Sequence, residues 1–352
     1  MALASLSLVG ASAAPSQQGR ILAAIDLPTR MAGSAVGGIS GLDHDRRRDA
    51  WLLISDDKSD HGAARLYSLR LSFDPRSGLT LRGMAPVILR DSAGRPFPPP
   101  GTGREAVDGE AIRFAPDGRH ILWASEGDAR DGFGPALRIG DRHGRTRAIM
   151  RLPPPLRDDG RPNRTIEGLS YAPDGPVWAA MEGPLLHDGP PSTATRSAVV
   201  RFARFQRGTP PRQYGYPIDP IIHQRPGRLA DNGVSDILAV GDTRLLVLER
   251  SGEQQGDGRF AFHCRLYLAD FRHARDVTAS GLPDGSDGIA TKRLLIDFDR
   301  LMPEGSGNLE AMGWWPGRRG RWLLLANDNN FADGTASRLM LVALPETLSP
   351  RR

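Results

Sequence analysis

Eleven oxygen-bearing side chains recur at matching places along this chain: Asp56, Asp57, Glu110, Glu126, Asp128, Glu167, Glu182, Glu249, Glu310, Asp328 and Asn329. Carboxylates held close together repel one another and resist ionisation. A hard divalent cation removes that penalty, and Ca²⁺ accepts six to eight oxygen ligands in flexible geometry. The chain has one cysteine, Cys264, and eight histidines without ligand spacing, which argues against zinc or copper. Calcium is therefore the expected ion. Glu110, Glu167 and Glu310 are the expected inner ligands or general bases. Lys58, Arg164 and Arg250 are candidates for holding anionic charge, and His61 for moving a proton. The same acids have a competing structural reading. Carboxylates at strand ends also accept backbone N–H groups or pair with arginine, and Arg164 lies three residues from Glu167.

Other chemistry is not signalled. Gly38-Ile-Ser-Gly-Leu42 lacks the last glycine of a nucleophile elbow, and no zinc-protease or phosphate-loop motif is present. Asp43-His44-Asp45 begins like a calcium loop but lacks the later Gly and Glu. Without a fixed nucleophile, attack by water is expected rather than a covalent intermediate.

The elements that position the acids repeat. Aligning Ser40, Glu110, Glu167, Ser235 and Glu310 gives spacings of 70, 57, 68 and 75 residues. Turns such as Ala115-Pro-Asp-Gly118 and Ala172-Pro-Asp-Gly175 follow, then short apolar runs: Trp51–Ile54, Ile121–Ala124, Val177–Ala180, Leu245–Leu248 and Trp322–Leu325. Each run ends in acids or amides. Two further strands complete each unit. Such units are the four-stranded antiparallel blades of an all-β propeller. Five blades are counted, with room for a sixth in 183–233 or 269–292. The fifth unit lacks a strand, which Arg20–Ile25 supplies by closing the ring. In a propeller, first-strand starts and second-strand ends share one mouth of the channel, so the acids should converge there.

Of 46 basic residues only Lys58 and Lys292 are lysines, and the arginines are scattered without an aromatic-interleaved stripe. That pattern excludes a nucleic-acid binder of the usual kind. No apolar run is long enough for a transmembrane helix. Residues 1–14 are apolar and end in Ala11-Ser12-Ala13, like the back half of a signal peptide that lacks its basic start. The expectation is an exported, periplasmic or secreted protein with one domain over 15–352. It should be a monomer.

The set Gly37–Leu42 with Leu53–Asp57, Asp108–Ile112 with Ser125–Asp128, Asn163–Leu169, Leu248–Arg250, and Asn308–Met312 with Asn327–Asn330 resembles the phytase-like domain family. Its members are often named esterase-like activity of phytase family proteins. The resemblance runs from about Ile21 to Leu344 and implies an exported bacterial β-propeller. The motifs of the propeller phytases, which use calcium to neutralise acids and bind phosphate, do not match residue by residue, so no catalytic role is carried over. The expected function is hydrolysis of phosphate or carboxylic esters with a divalent cation, on a small anionic or ester substrate. A non-catalytic exported propeller that binds a ligand or partner is the alternative.

Overall fold

The computed structural model describes residues 19–283, 285, 287–345 and 348. The leader-like stretch 1–14 lies outside the described residues. Five four-stranded antiparallel sheets form the blades. Blade 1 is Ile39–Asp45, Ala50–Ser55, Arg65–Asp74 and Gly78–Ile88. Blade 2 is Gly109–Phe114, His120–Ser125, Ala136–Asp141 and Thr146–Met150. Blade 3 is Ile166–Tyr171, Val177–Met181, Ala198–Phe205 and Arg212–Ile218. Blade 4 is Ala230–Ala239, Arg244–Gln254, Phe260–Asp270 and Thr291–Asp297. Blade 5 takes Asn308–Trp314, Trp322–Asp328 and Arg338–Ala343 from the C-terminal part and Arg20–Asp26 from the N-terminal part. The ring closure is the antiparallel pairing of Arg20–Asp26 with Arg338–Ala343.

There is no sixth blade among the described residues. The segment 183–233 supplies the outer half of blade 3 and the start of blade 4. Within 269–292 the described residues Val277 and Ala290 instead lie along the outer edge of blade 3, where Val277 N–H donates to Gln213 O and Ala290 N–H to Gly215 O, both at 2.8 Å.

The core is not central. Its buried apolar side chains form five clusters, one in each gap between neighbouring blades. Trp123 and Ile54 pack between blades 1 and 2, Phe202 and Val247 between blades 3 and 4, and Leu42 and Leu341 between blades 5 and 1. Each blade is thus apolar on both faces, which explains the uninterrupted apolar runs of the second strands. On the axis, the Arg113 guanidinium bonds both oxygens of Asp236 at 2.7 and 2.8 Å, and also donates to Leu42 O and Ile237 O. Asp236 accepts from Met312 N–H at 2.9 Å. One buried ion pair therefore ties blades 1, 2, 4 and 5 together.

Candidate functional site

Every blade breaks its ladder at one place. The register between first and second strands shifts between Ile39 and Gly41, Gly109 and Ala111, Ile166 and Gly168, Val234 and Asp236, and Leu309 and Ala311. The extra residue in each is Ser40, Glu110, Glu167, Ser235 or Glu310, the position on which the repeats align. A bulge leaves one residue unpaired and re-aims its side chain. Five bulges at one level make a ring that holds three glutamates and two serines.

A second ring follows from the same ladders. Residues paired with the last position before each bulge are Ser55, Ser125, Met181, Glu249 and Asn327. The next residue along each second strand is Asp56, Glu126, Glu182, Arg250 or Asp328. The close approach of Asp56 to blade 1's entry needs a glycine. Gly38 has φ +63°, and a Cβ there would lie 1.9 Å from Asp56 Oδ1.

The two rings open into a cavity of about 270 Å³ lined by Asp56, Asp108, Glu110, Glu167, Glu182, Glu310 and Asp328, with Lys58, His61 and Arg250. Three trios lie with one carboxylate oxygen from each residue within 4.8 Å of the others: Asp56–Glu310–Asp328, Asp108–Glu110–Glu126 and Glu126–Glu167–Glu182. Two cations answer these acids. Arg250 is threaded between Glu310 and Glu182 at 2.5 and 3.0 Å and also donates to Asn308 Oδ1. Lys58 pairs with Asp108 at 2.5 Å and reaches Asn163 Oδ1 at 3.5 Å. Among the described residues, no hydrogen bond from a protein donor reaches the carboxylates of Asp56 or Glu167.

Eight carboxylates against two cations cannot all stay ionised without further positive charge. Burial lifts Glu126 to about 8, with Glu182 and Asp108 adding. Burial lifts Glu310 to about 8 as well, against the pull of Arg250 and with help from Asp328. Asp56, Glu110 and Glu167 are pushed well above the carboxylate range, first by burial and then by one another's neighbouring acids. Glu182, Asp328 and Asp108 are raised by burial, against Arg250 for the first, the Asn330 N–H and Arg250 for the second, and Lys58 for the third. Burial works against the Lys58 ammonium, but Asp108, Glu110 and Glu126 outweigh it and hold its pKa above that of free lysine.

Five of the residues read from the sequence lie elsewhere or are occupied. Glu249 is one residue out of register with the second ring, so strand alternation turns it to the opposite face. There it is buried and accepts from Tyr216 Oη at 2.7 Å, from Asp219 N–H at 2.9 Å and from Lys292. Asp57 reaches the rim, but Oδ1 takes the N–H groups of Asp60 and His61 while Oδ2 takes Arg65. The Asn329 amide bridges Gly38 N–H, Val36 O and Thr335 O. Asp128 caps the turn Ala129–Asp131 through Arg130 N–H. Arg164 pairs with Asp231 at 2.9 Å outside the cavity lining. His61 is at the rim, stacked on Phe331 with ring centroids 4.3 Å apart. Asp108 and Asn308 belong to the site although the repeat alignment did not select them. Their signal was positional: each stands two residues before a bulge glutamate, Glu110 and Glu310.

The description "esterase-like activity of phytase", that of the phytase-like family, matches residues 34–331. The chain belongs to this family. No curated protein matches it. Among solved structures, the catalytic domain of a GH62 α-L-arabinofuranosidase from Coprinopsis cinerea aligns at 12% identity and TM-score 0.42, covering 93% of this chain and 98% of that one. An α-L-arabinofuranosidase from Podospora anserina, solved with cellotriose, aligns at 9% identity and TM-score 0.38, covering 94% and 98%. In this phytase-like chain the family match spans all five bulge positions, from Ser40 to Glu310.

Proposed function

We propose that this chain is an exported hydrolase of phosphate or carboxylic esters that works with a divalent cation, calcium first among them, at the acidic mouth. The observation that carries the reading is the trios of carboxylate oxygens within 4.8 Å of one another. Two oxygens each about 2.4 Å from one calcium ion can be no more than about 4.8 Å apart. The donors are all oxygen, and Asp56 and Glu167 have lone pairs that no described donor uses. The residues present therefore fit such an ion. When bound, it would polarise the ester oxygen and lower the pKa of a water.

The chain's own groups do the rest. Glu167, aimed inward by its bulge, takes the proton of the attacking water. Lys58, at the rim and partly open to solvent, faces the anionic end of the substrate. Arg250 stays fixed between Glu182 and Glu310 and limits how far the ring can relax. A small anionic or ester substrate suits a cavity of about 270 Å³. The leader-like residues 1–14 support export.

The test is thermal unfolding of the purified monomer with EDTA and with Ca²⁺, beside hydrolysis of a generic phosphate ester and a generic acyl ester. Calcium at one hundred times its Kd should add about 2.7 kcal/mol. Glu167→Gln should lower turnover by about 10²-fold or more. Stabilisation without turnover of either ester would turn the reading to a non-catalytic binding propeller. No shift with any divalent cation would remove the ion.

A further inference from the structure

The end of the channel opposite the acids is basic. There the first strands turn back into the second, and those turns carry Arg46-Arg47-Arg48 in blade 1 and Arg119 in blade 2. The turn between the outer strands of blade 2 adds Arg142 and His143. Arg47, Arg48, Arg119 and Arg142 line one depression of about 480 Å³. The one acid in its lining, Asp141, is engaged by Arg147 at 2.6 Å. A second depression of about 380 Å³ shares Arg47 and Gly118 with the first and adds Arg46 and Arg319, with two acids in its lining: Asp45, which Arg142 engages, and Asp43, which accepts from Phe114 N–H. Its lining has no residue in common with the acidic cavity.

This basic surface is built rather than frayed. Arg142 is braced by Asp45 at 2.6 Å and by Gly118 O at 3.0 Å. Gly118 has φ +61°, and a Cβ there would lie 2.5 Å from Arg47 Nε, so Arg47 lies directly over the glycine of the Pro-Asp-Gly turn. Among the described residues no carboxylate pairs with the side chains of Arg46, Arg47, Arg48 or Arg119. Asp45 and Asp141 answer Arg142 and Arg147, so the side chains of Arg46, Arg47, Arg48 and Arg119 carry the excess positive charge that anionic groups at close spacing would meet.

We propose that this face binds a linear phosphate polymer, with successive phosphates taken by the arginine forks. Guanidinium pairs bidentately with phosphate. Two adjoining depressions that share Arg47 offer more cationic length than one small anion can use. The 480 Å³ depression has no Phe, Tyr or Trp in its lining on which nucleobases could stack, whereas the adjoining one has Phe114, Tyr171 and Trp314, so an oligonucleotide is the competing ligand that the test includes. The exposed large apolar residues Ile149, Leu186, Leu229, Phe260 and Leu294 all lie outside these turns, so nothing there inserts into a bilayer.

Binding of an end-labelled inorganic polyphosphate to the full chain, followed by anisotropy at rising salt, tests this. Affinity should fall with salt on a log–log line. R47S/R48S/R119S should weaken binding by about tenfold or more and flatten that line by about two to three units. R47K/R48K/R119K should keep most of the slope while losing affinity, because charge stays and the fork goes. Arg48→Gln, a single exposed change, should show the same loss at about threefold. Glu167→Gln, in the acidic cavity, should bind polyphosphate like the parent, which separates this site from the ester-hydrolysing reading. The proposal is overturned if the triple serine variant binds unchanged. It is equally overturned if orthophosphate competes as well as the polymer at equal phosphate. Tighter binding of heparin, an oligonucleotide or phosphatidylglycerol vesicles would also overturn it.

Discussion

At the residue scale, the acid ring is a store of protons or a seat for a cation, and pH separates the two. Glu126 and Glu310 stand at about 8 in the folded chain against the ordinary 4.5. Between those values the folded state holds protons that the unfolded state has released. Stability therefore falls as pH rises whenever the unfolded state binds fewer protons. In EDTA the melting temperature should be highest near or below pH 4.5 and decline toward pH 8. Bound Ca²⁺, on the proposed reading, would let the carboxylates ionise in the folded state, so the decline should flatten and the calcium-induced shift should grow with pH. Melts across that range with and without Ca²⁺ decide it; a calcium shift that does not grow with pH would mean that the ion displaces no protons. Residue identity at this scale was readable in the sequence for Glu110, Glu167 and Glu310, because all three align in the repeat. In the second ring it was readable for Asp56, Glu126, Glu182 and Asp328, which end the apolar runs, but not in blade 4. Glu249 and Arg250 are adjacent, both are polar, and only the ladder shows that Arg250 occupies the place that Asp56, Glu126, Glu182 and Asp328 hold elsewhere. A strand's period of two makes a one-residue error a change of face.

At the element scale, the blades were legible because the first turns of blades 2 and 3 carry Pro-Asp-Gly, those of blades 4 and 5 carry Gly-Asp and Pro-Gly, and each second strand holds a short apolar run. The bulges were not, since a single unpaired residue leaves no compositional mark. Nor was the axial pair. Arg113 sits in a strand whose neighbours are Ile112 and Phe114, and Asp236 lies 123 residues away. Both are buried, so removing one leaves the other uncompensated. Asp236→Asn should cost about 3–5 kcal/mol, read as a lower urea midpoint at unchanged slope. Replacing both, as in R113M/D236L, should recover much of that loss, because the desolvation of two charges goes with them. A single variant as stable as the parent would show that the pair is not what ties blades 1, 2, 4 and 5 at the axis.

At the scale of the whole molecule, the ring is held by five interblade cores and one seam. Four blades are continuous in sequence. Blade 5 is closed by Arg20–Asp26 on Arg338–Ala343, with Arg338 on Asp26 at 2.6 Å. That ion pair is exposed and adds little. The seam's strength lies in the ladder and in Ile21, Leu22 and Ile25, which pack against the cores on either side of blade 5. The sequence disclosed this closure through a deficit, a last unit one strand short. The blade number needed the structure, because long connections such as 269–292 are as long as half a blade. Deleting residues through Asp26 should cost several kcal/mol and bare the edge of Arg338–Ala343, an unpaired strand that templates association. Calorimetry should then give a lower and broader transition, and size-exclusion should show species larger than the full chain gives. Adding a synthetic peptide of residues 19–28 in trans should restore the full chain's elution volume and part of the lost melting temperature. Failure of that rescue, with the deleted chain eluting like the full chain and unchanged in its melt, would place the closure of the ring in the interblade cores rather than in the seam.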